Sequence, residues 1–292
     1  MKAQIIKDSI NSETDDRLTT FVVEFPRFIN AEVLRHRMLS FNSASSRAIP
    51  IKRIIESVQN NPAMPVFWGK NQSGMQAYEA LEPNEQTIAQ KVWIDSSTNM
   101  IEVVKSLELV GLHKQISNRL LEPWQNITLI ISGTEWENFF KLRASTFAQP
   151  EFKELAYMML ELYNNNIPTI KTPADTKWFT EVLYSDAHVP YEENMPEGVT
   201  GLNAIKIAIA RCARVSYLTQ DGEIDPPRDY ELYDRLLSGG HFSPCEHVAF
   251  PAKESKFYGN FKGWVQYRKT LFNENSVDSR VIKRKVIDGK VI

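Results

Sequence analysis

Residues 35–47 read RHRMLSFNSASSR, and they set the expectations for the chain on either side. The three basic or titratable residues at the start are predicted to end a helix over residues 28–39, which Asn30 can cap. The small hydroxyl residues that follow, up to Pro50, predict a loop. Serine hydroxyls, backbone amides and a guanidinium in one loop suit a bound phosphate. The alternative interpretation is a solvated basic helix end that the helix dipole stabilises.

The sequence next to this stretch predicts a strand and two helices. β-branched and aromatic residues over 18–26 indicate the strand. Apolar residues near helical spacing predict a helix over 84–110, although residues 95–98 leave its continuity open. The segment 111–123 predicts a short helix that Pro123 closes.

The second half of the chain predicts further helices after a linker. A long helix is predicted over 134–164, with Pro150 as a kink or a boundary because proline lacks the backbone donor. Residues 185–201 hold two prolines and two glycines, which is typical of a linker. The elements predicted after it are helices over 201–217, 229–239 and 260–272 and a strand over 247–252.

Composition and charge exclude several classes of protein. The chain has 292 residues, 42% of them hydrophobic, which is enough for a substantial core. With 34 basic and 36 acidic residues the net charge is −2, so we expect no nucleic-acid or membrane partner. Cys212 and Cys245 form no CxxC spacing and are predicted to be inert core thiols in a reduced, cytoplasmic protein. No metal site is predicted, and His113 and His188 are expected to be surface or loop residues without a role.

Three blocks of the sequence carry a family resemblance. The string from Arg35 to Arg47 resembles the RHRxxSxNxxSxR signature of flavin-dependent thymidylate synthases. Arg119 in SNRLLEP is similar to an arginine that this family has on a short helix before a proline. The family's NxxxLRxxxxAQxE block is matched by Asn138, Leu142, Arg143, Ala148, Gln149 and Glu151.

The remaining family blocks occur in permuted order. The segments ARVSY (213–217) and GHFSPCEH (240–247) resemble blocks that normally come first, but here they come last. The resemblance implies an α/β (α+β) fold with a mixed sheet and long helices. It also implies one catalytic unit made of region 1–184, the linker 185–201 and region 202–292. A weak internal duplication places Gln266, Tyr267 and Arg268 opposite the RHR triplet. The resemblance implies a homotetramer, or a dimer if the duplication substitutes for subunits.

The resemblance implies a role for each block. The residues implied for dUMP are Ser45, Arg47, Arg119 and Arg143, with Arg143 and Ser45 as the catalytic pair. The residues implied for the flavin are Arg35, His36, Arg37, Asn138, Ser216, His241, Ser243 and Glu246.

Several positions depart from the family pattern, most of them on the flavin side. Ser132, Gly133 and Thr134 stand where the family has NAR, and Ser43 stands where it has a glutamate. Ala48 replaces a tyrosine, and Glu32 replaces a glutamine three residues before RHR. These departures affect the adenine end of FAD most, while Glu274 in the second copy could supply the missing carboxylate.

The resemblance implies transfer of a one-carbon unit from methylenetetrahydrofolate to C5 of dUMP, giving dTMP with FAD and NADPH. One alternative is a dUMP hydroxymethylase that omits the reduction. Another is a catalytically silent dUMP-binding subunit. The segment PVFWGKNQSGMQ (65–76) is expected to be either an active-site lid or a plain surface turn.

Overall fold

A five-stranded mixed sheet forms the centre of the protein. The computed structural model describes residues 1–174, 186–216, 225–272 and 274, and two short strands at 286–287 and 290–291. The strand order is β3-β4-β2-β1-β5, and all neighbours are antiparallel except the parallel pair of β1 and β5. The strands are β1 (Lys2–Asn11), β2 (Arg17–Pro26), β3 (Ser40–Ser43), β4 (Asn126–Gly133) and β5 (Thr169–Lys171).

Six helices accompany the first part of the chain and the sheet it builds. They are α1 (Asn30–Val33), α2 (Ile51–Asn60), α3 (Pro83–Leu109), α4 (Lys114–Ser117), α5 (Glu137–Arg143) and α6 (Pro150–Asn165). Helices α5 and α6 cover one face of the sheet with an aromatic core that includes Trp136, Phe139 and Phe152. Helices α2 and α3 pack with a 3-10 segment at Asn118–Trp124 around a smaller core.

The C-terminal part of the chain covers the opposite face of the sheet. It contains α7 (Gly201–Ala213), α8 (Pro226–Ser238), β6 (Ala249–Pro251), β7 (Phe257–Tyr258), β8 (Phe261–Lys262), β9 (Trp264–Gln266), β10 (Val286–Ile287) and β11 (Lys290–Val291). Along β4, Leu129 and Ile131 face the aromatic core, whereas Ile130 packs against Cys212 and Val215 from the C-terminal part. This period-two alternation explains why a strand so rich in isoleucine is buried on both faces.

Several predicted elements are confirmed. The strand predicted over 18–26 is β2, and the helix predicted over 84–110 is α3, which runs without interruption. The helices predicted over 201–217 and 229–239 correspond to α7 and α8, and β6 lies within the predicted strand 247–252. None of the helices in the described ranges has the length and apolar composition that a membrane crossing requires.

The helix predicted over 28–39 was wrong beyond Val33. A 3-10 turn at Arg27–Ile29 leads into the four-residue α1, and the RHR triplet lies in turns after it. The chain then enters β3, where Ser40 pairs with Ser132 and Ser43 with Leu129. The loop predicted to start at Phe41 therefore begins as a strand, because edge pairing to β4 satisfies its backbone.

Of two other predicted helices, one is divided at the proline that was predicted as a kink or a boundary, and the other is absent. The long helix over 134–164 is two helices, and Pro150 is the boundary, at the first position of α6. The helix over 260–272 is replaced by short strands and a 3-10 turn at Tyr267–Thr270. Gly263 has φ +70, and a Cβ there would lie 2.1 Å from Asp16 Oδ2, so this turn requires glycine. The second copy of the RHR triplet thus lies in a different secondary structure from the first.

Candidate functional site

A hydrogen-bonded pair, Arg143 and His36, lies where α5 ends beside the RHR turn. The Arg143 Nε–H donates to His36 Nε2 over 2.9 Å. The His36 ring contacts the edges of Phe139 and Phe152, and the Arg143 guanidinium lies 4.6 Å from the centroid of the Phe152 ring. Because a guanidinium has no acceptor, Nε2 must be unprotonated and the proton of a neutral His36 resides on Nδ1. The packed rings therefore fix the direction of Arg143.

The protonation state of His36 follows from the same surroundings. Burial, and then the positive charge of Arg143, lower the pKa of His36 from 6.5 to about 4. At neutral pH the imidazole is uncharged and remains an acceptor. The pair therefore presents one cation, on Arg143.

Arg143 lines a cavity with a volume of about 1180 Å³. Arg35 and Glu32 from the turn around α1 line it, together with Gln149 and Glu151 from the block that follows α5. Residues between 65 and 78 also line it, and we call this segment the roof segment. The segment 65–76, expected to be either a lid or a surface turn, thus borders a cavity that holds two predicted site arginines.

The loop after β3 makes a second cluster with the helix at 114–124. Ser46 Oγ donates to Glu122 Oε1 over 2.8 Å, and Asn118 Nδ2 donates to the Ser46 carbonyl over 2.7 Å. Arg119 Nη1 lies 3.3 Å from the same Glu122 oxygen, with its side chain 55% exposed. Arg47, next to Ser46, is exposed. The structure thus brings the loop of Ser45 and Arg47 beside Arg119, as a basic surface that can take a phosphate.

Side chains of strand β3 form hydrogen bonds with the C-terminal part of the chain. Asn42 Nδ2 donates to the Cys212 carbonyl over 2.6 Å, and Ser243 Oγ donates to Asn42 Oδ1 over 3.2 Å. Ser40 Oγ accepts hydrogen bonds from Gln266 and Asn260 over 3.1 Å each. Two residues of the RHRxxSxN string therefore hold segments more than 150 positions away along the chain.

The residues predicted to bind the flavin differ in their exposure and in their bonding partners. Arg35, Arg37, Asn138 and His241 are exposed, whereas Ser243 is bonded to Asn42. The Glu246 carboxylate pairs with Arg268, and Glu274 also lies beside Arg268, 3.6 Å from its Nε. Ser216 ends the 3-10 segment Arg214–Ser216, and its side chain lies outside the described part of the chain.

The positions that replace the NAR triplet are covered by the C-terminal part of the chain. Ser132 Oγ bonds to His247 Nδ1 over 2.8 Å, and Thr134 Oγ1 accepts from the Lys262 amide over 3.0 Å. A Cβ on Gly133 would lie 2.3 Å from Leu39 Cδ2. These three positions serve internal packing.

A buried polar chain crosses the sheet and was missed at the sequence level. His188 Nδ1 bonds to Ser9 Oγ over 3.0 Å and its Nε2 to Thr20 Oγ1 over 2.8 Å, and Thr20 bonds to Ser132 over 2.6 Å. The placement of His188 at the surface was therefore wrong, since it is fully buried. Burial lowers the pKa of His188 and lowers that of His247 to about 3, so both are neutral. The sequence feature that could have indicated this buried chain is the pair of hydroxyl residues at inward positions of β2 and β4.

No group of three or more metal-ligating side chains occurs among the residues that the structure describes. Both cysteines are buried, as predicted. Burial raises the pKa of both thiols, that of Cys245 to about 12.

Comparison with known proteins identifies the family. The sequence model of the family "Thymidylate synthase complementing protein" matches residues 4–169, and the chain belongs to this family. The matched residues include the RHR string, Arg119 and Arg143, while the ARVSY and GHFSPCEH segments lie outside them.

Two curated relatives are each similar to about half of the chain. A "Flavin-dependent thymidylate synthase" from Aquifex aeolicus is 27% identical over 161 residues, which are 53% of this chain and 48% of the relative. One from Thermosipho africanus is 28% identical over 158 residues, 51% of this chain and 64% of the relative. The chain thus spans about half to just under two thirds of the length of these relatives.

A solved structure is also similar. It is described as a UMP/dUMP methylase PolB from Streptomyces cacaoi bound with 5-Br UMP. It shares 14% identity with this chain at a TM-score of 0.44, covering 56% of this chain and 88% of its own.

Proposed function

We propose that this protein is an enzyme that transfers a one-carbon unit from methylenetetrahydrofolate to C5 of dUMP, giving dTMP with FAD and NADPH. The observation that carries the proposal is the Arg143 guanidinium, which the neutral ring of His36 directs at the wall of the 1180 Å³ cavity. Membership of the thymidylate synthase complementing family supports it.

Arg143 supplies what the chemistry of uracil requires. Carbon C5 is a weak nucleophile, and its attack on a one-carbon unit builds negative charge on the ring oxygens. A fixed cation at such an oxygen lowers the barrier by about 3 kcal/mol in comparable sites. In this proposal Arg143 contacts a ring carbonyl of dUMP, while Ser45, Arg47 and Arg119 hold its phosphate.

The predicted flavin site has residues that suit the pyrophosphate of FAD but not its adenine end. The exposed guanidiniums of Arg35 and Arg37 fit the pyrophosphate, which arginine binds with paired hydrogen bonds. When bound, the flavin supplies the hydride that completes the methyl group, with NADPH as its reductant. At the adenine end the positions of Ser132 and Thr134 are used in bonds to His247 and Lys262.

These internal bonds favour a second candidate function. An enzyme with the same dUMP and folate sites that omits the reduction would make 5-hydroxymethyl-dUMP. The pairing of Glu246 with Arg268 points the same way, because it removes another carboxylate from the predicted flavin set.

The docking of Asn42 on Cys212 and Ser243 supports a single catalytic unit made of the regions before and after the predicted linker. We propose that this unit assembles as a homo-oligomer, a tetramer or a dimer. Its exposed arginines are then completed by a neighbouring copy.

The reaction can be tested with the purified full chain. Incubation with dUMP and methylenetetrahydrofolate, with and without FAD and NADPH, is followed by mass spectrometry of the nucleotide. We expect dTMP when all components are present. Hydroxymethyl-dUMP without flavin would support the second candidate, and unmodified dUMP under every condition would contradict both.

A further inference from the structure

One carboxylate, that of Glu122, joins the two parts of the surface that we propose to hold the phosphate. Its Oε1 atom accepts a hydrogen bond from the Ser46 hydroxyl over 2.8 Å. The same atom lies 3.3 Å from Arg119 Nη1 and 3.2 Å from Arg27 Nη2. Ser46 belongs to the loop after β3, whereas Arg119 belongs to the 3-10 segment Asn118–Trp124. A single oxygen therefore connects the loop to the 3-10 segment.

Arg27 balances the charge of Glu122 from the side of the protein interior. The Arg27 side chain is 16% exposed, compared with 55% for Arg119. Burial lowers the pKa of Arg27, Glu122 opposes this shift, and Arg119 adds to it, while the guanidinium stays charged at neutral pH. Because attraction between charges is stronger away from water, Arg27 compensates Glu122 more than Arg119 does. The charge of Arg119 therefore remains available to an anion.

Donors from α4 and the 3-10 segment hold the backbone of the loop. The Asn118 side-chain amide donates to the Ser46 carbonyl over 2.7 Å and to the Ile49 carbonyl over 3.0 Å. Lys114 Nζ donates to the Ala48 carbonyl over 2.9 Å. Asn118 is fully buried, so the loop is attached to the protein interior. What an anion would still have to order at this surface is the exposed guanidinium beside the loop.

We propose that Glu122 is a positioning residue for the phosphate of dUMP, and that it acts by holding the Arg119 guanidinium beside the loop. An exposed arginine loses rotamer freedom when it binds an anion, and an existing restraint reduces that loss. The contact with Glu122 uses one of the five N–H donors of Arg119, so the others can bind the phosphate. This inference rests on the proposed function, in which Arg119 contacts the phosphate.

A carboxylate at a phosphate site can also act by its charge alone, and this alternative predicts the opposite result. Removal of Glu122 would then strengthen dUMP binding, because the carboxylate repels the phosphate. Arg27 already compensates the charge of Glu122, so we expect the loss of orientation at Arg119 to exceed the gain in attraction. The sign of the change in dUMP affinity separates the two roles.

The test is a double-mutant cycle, measured by calorimetric titration of dUMP into the full chain. We expect Glu122→Ala to weaken dUMP binding about fivefold or more in the wild-type background, which is the net worth of about one hydrogen bond. In the Arg119→Ala background the same change should alter affinity less than about twofold, because the group that Glu122 orients is gone. Glu102→Ala breaks an exposed ion pair of the same i,i+3 spacing on α3 and should bind dUMP as the wild type does.

A second variant covers the case in which Glu122→Ala fails to fold because Arg27 is left without its partner. The double change Arg27→Leu, Glu122→Leu removes one charge of each sign, and apolar replacement of both members of an ion pair is often tolerated. Because the net charge of the site is unchanged, any loss of dUMP affinity reflects orientation. We expect the same loss as in Glu122→Ala, again only while Arg119 is present.

The outcomes separate this role from the proposed function. Unchanged or tighter dUMP binding in the Glu122 variants overturns the positioning role, and so does an equal loss with and without Arg119, which would indicate a general effect on the fold. The proposed dUMP site stands in both cases if Arg119→Ala itself weakens binding. A wild-type protein that does not bind dUMP, or an Arg119→Ala variant that binds it normally, overturns the phosphate role of Arg119 together with this inference.

Discussion

Single side chains in the site are suited to their chemistry because neighbouring groups restrict their orientation. Arg143 could point in many directions on an exposed helix end, but the Nε2 atom of His36 and the Phe152 ring hold it. Arginine suits this arrangement because one N–H is used for orientation while the others remain free for a ligand. The motif predicted that His36 and Arg143 belong to the site. Their direct contact could not be predicted, since 107 positions separate them along the chain.

The two cysteines give a prediction at the same scale. Burial raises the pKa of both thiols, so neither is poised to attack C6 of a pyrimidine. We expect the double variant Cys212→Ser, Cys245→Ser to keep most of its turnover and to lose about 1–3 kcal/mol of unfolding free energy per site, since each hydroxyl enters an apolar core. Activity and urea unfolding check this. Full loss of turnover in a folded double variant would indicate cysteine chemistry instead.

At the scale of elements, the sequence predicted what local patterns determine. Helix α3 and strand β2 follow from helical spacing and from β-branched residues, and both are present. Strand β3 was predicted as a loop, because its four residues are stabilised by pairing with β4, which the local sequence does not reveal. The helix predicted over 260–272 failed for a related reason. Gly263 serves a close approach to Asp16, a contact between distant segments.

The same contrast between local sequence pattern and tertiary packing applies to the blocks of the site. The strings around Arg35, Arg119 and Arg143 were recognisable in the sequence, and the family match confirms the resemblance. Their arrangement into a cavity beside the roof segment and a basic surface at Glu122 depends on tertiary packing. The roles of these residues stay predictions.

For the whole molecule, the buried chain from Ser9 through His188 to Thr20, Ser132 and His247 joins the sheet to the C-terminal part. This chain of hydrogen bonds is stable only while both imidazoles are neutral, because burying an imidazolium without a counter-charge costs free energy. Acid should therefore loosen the attachment of the C-terminal blocks.

The corresponding prediction concerns stability against pH. The folded pKa values of His36 and His247 are about 4 and about 3, below the unfolded value of about 6.5. Between these values the unfolded chain binds more protons, so the unfolding free energy falls as pH drops below about 6.5, by up to about 1.4 kcal/mol per pH unit for each histidine. His247→Gln should show a shallower loss between pH 7 and 5 in denaturant unfolding. A pH dependence identical to the wild type would contradict this account.

The central claim, that Arg143 recognises the base of dUMP, is tested most directly by calorimetric titration of dUMP into the full chain. We predict that Arg143→Lys, Arg47→Ala and Arg119→Ala each weaken binding at least about tenfold, because lysine cannot reproduce the guanidinium fork and alanine removes a phosphate contact. Arg53→Lys, on the exposed side of α2, should bind as the wild type does. An unchanged dUMP affinity in Arg143→Lys, or in both alanine variants, would contradict the claim.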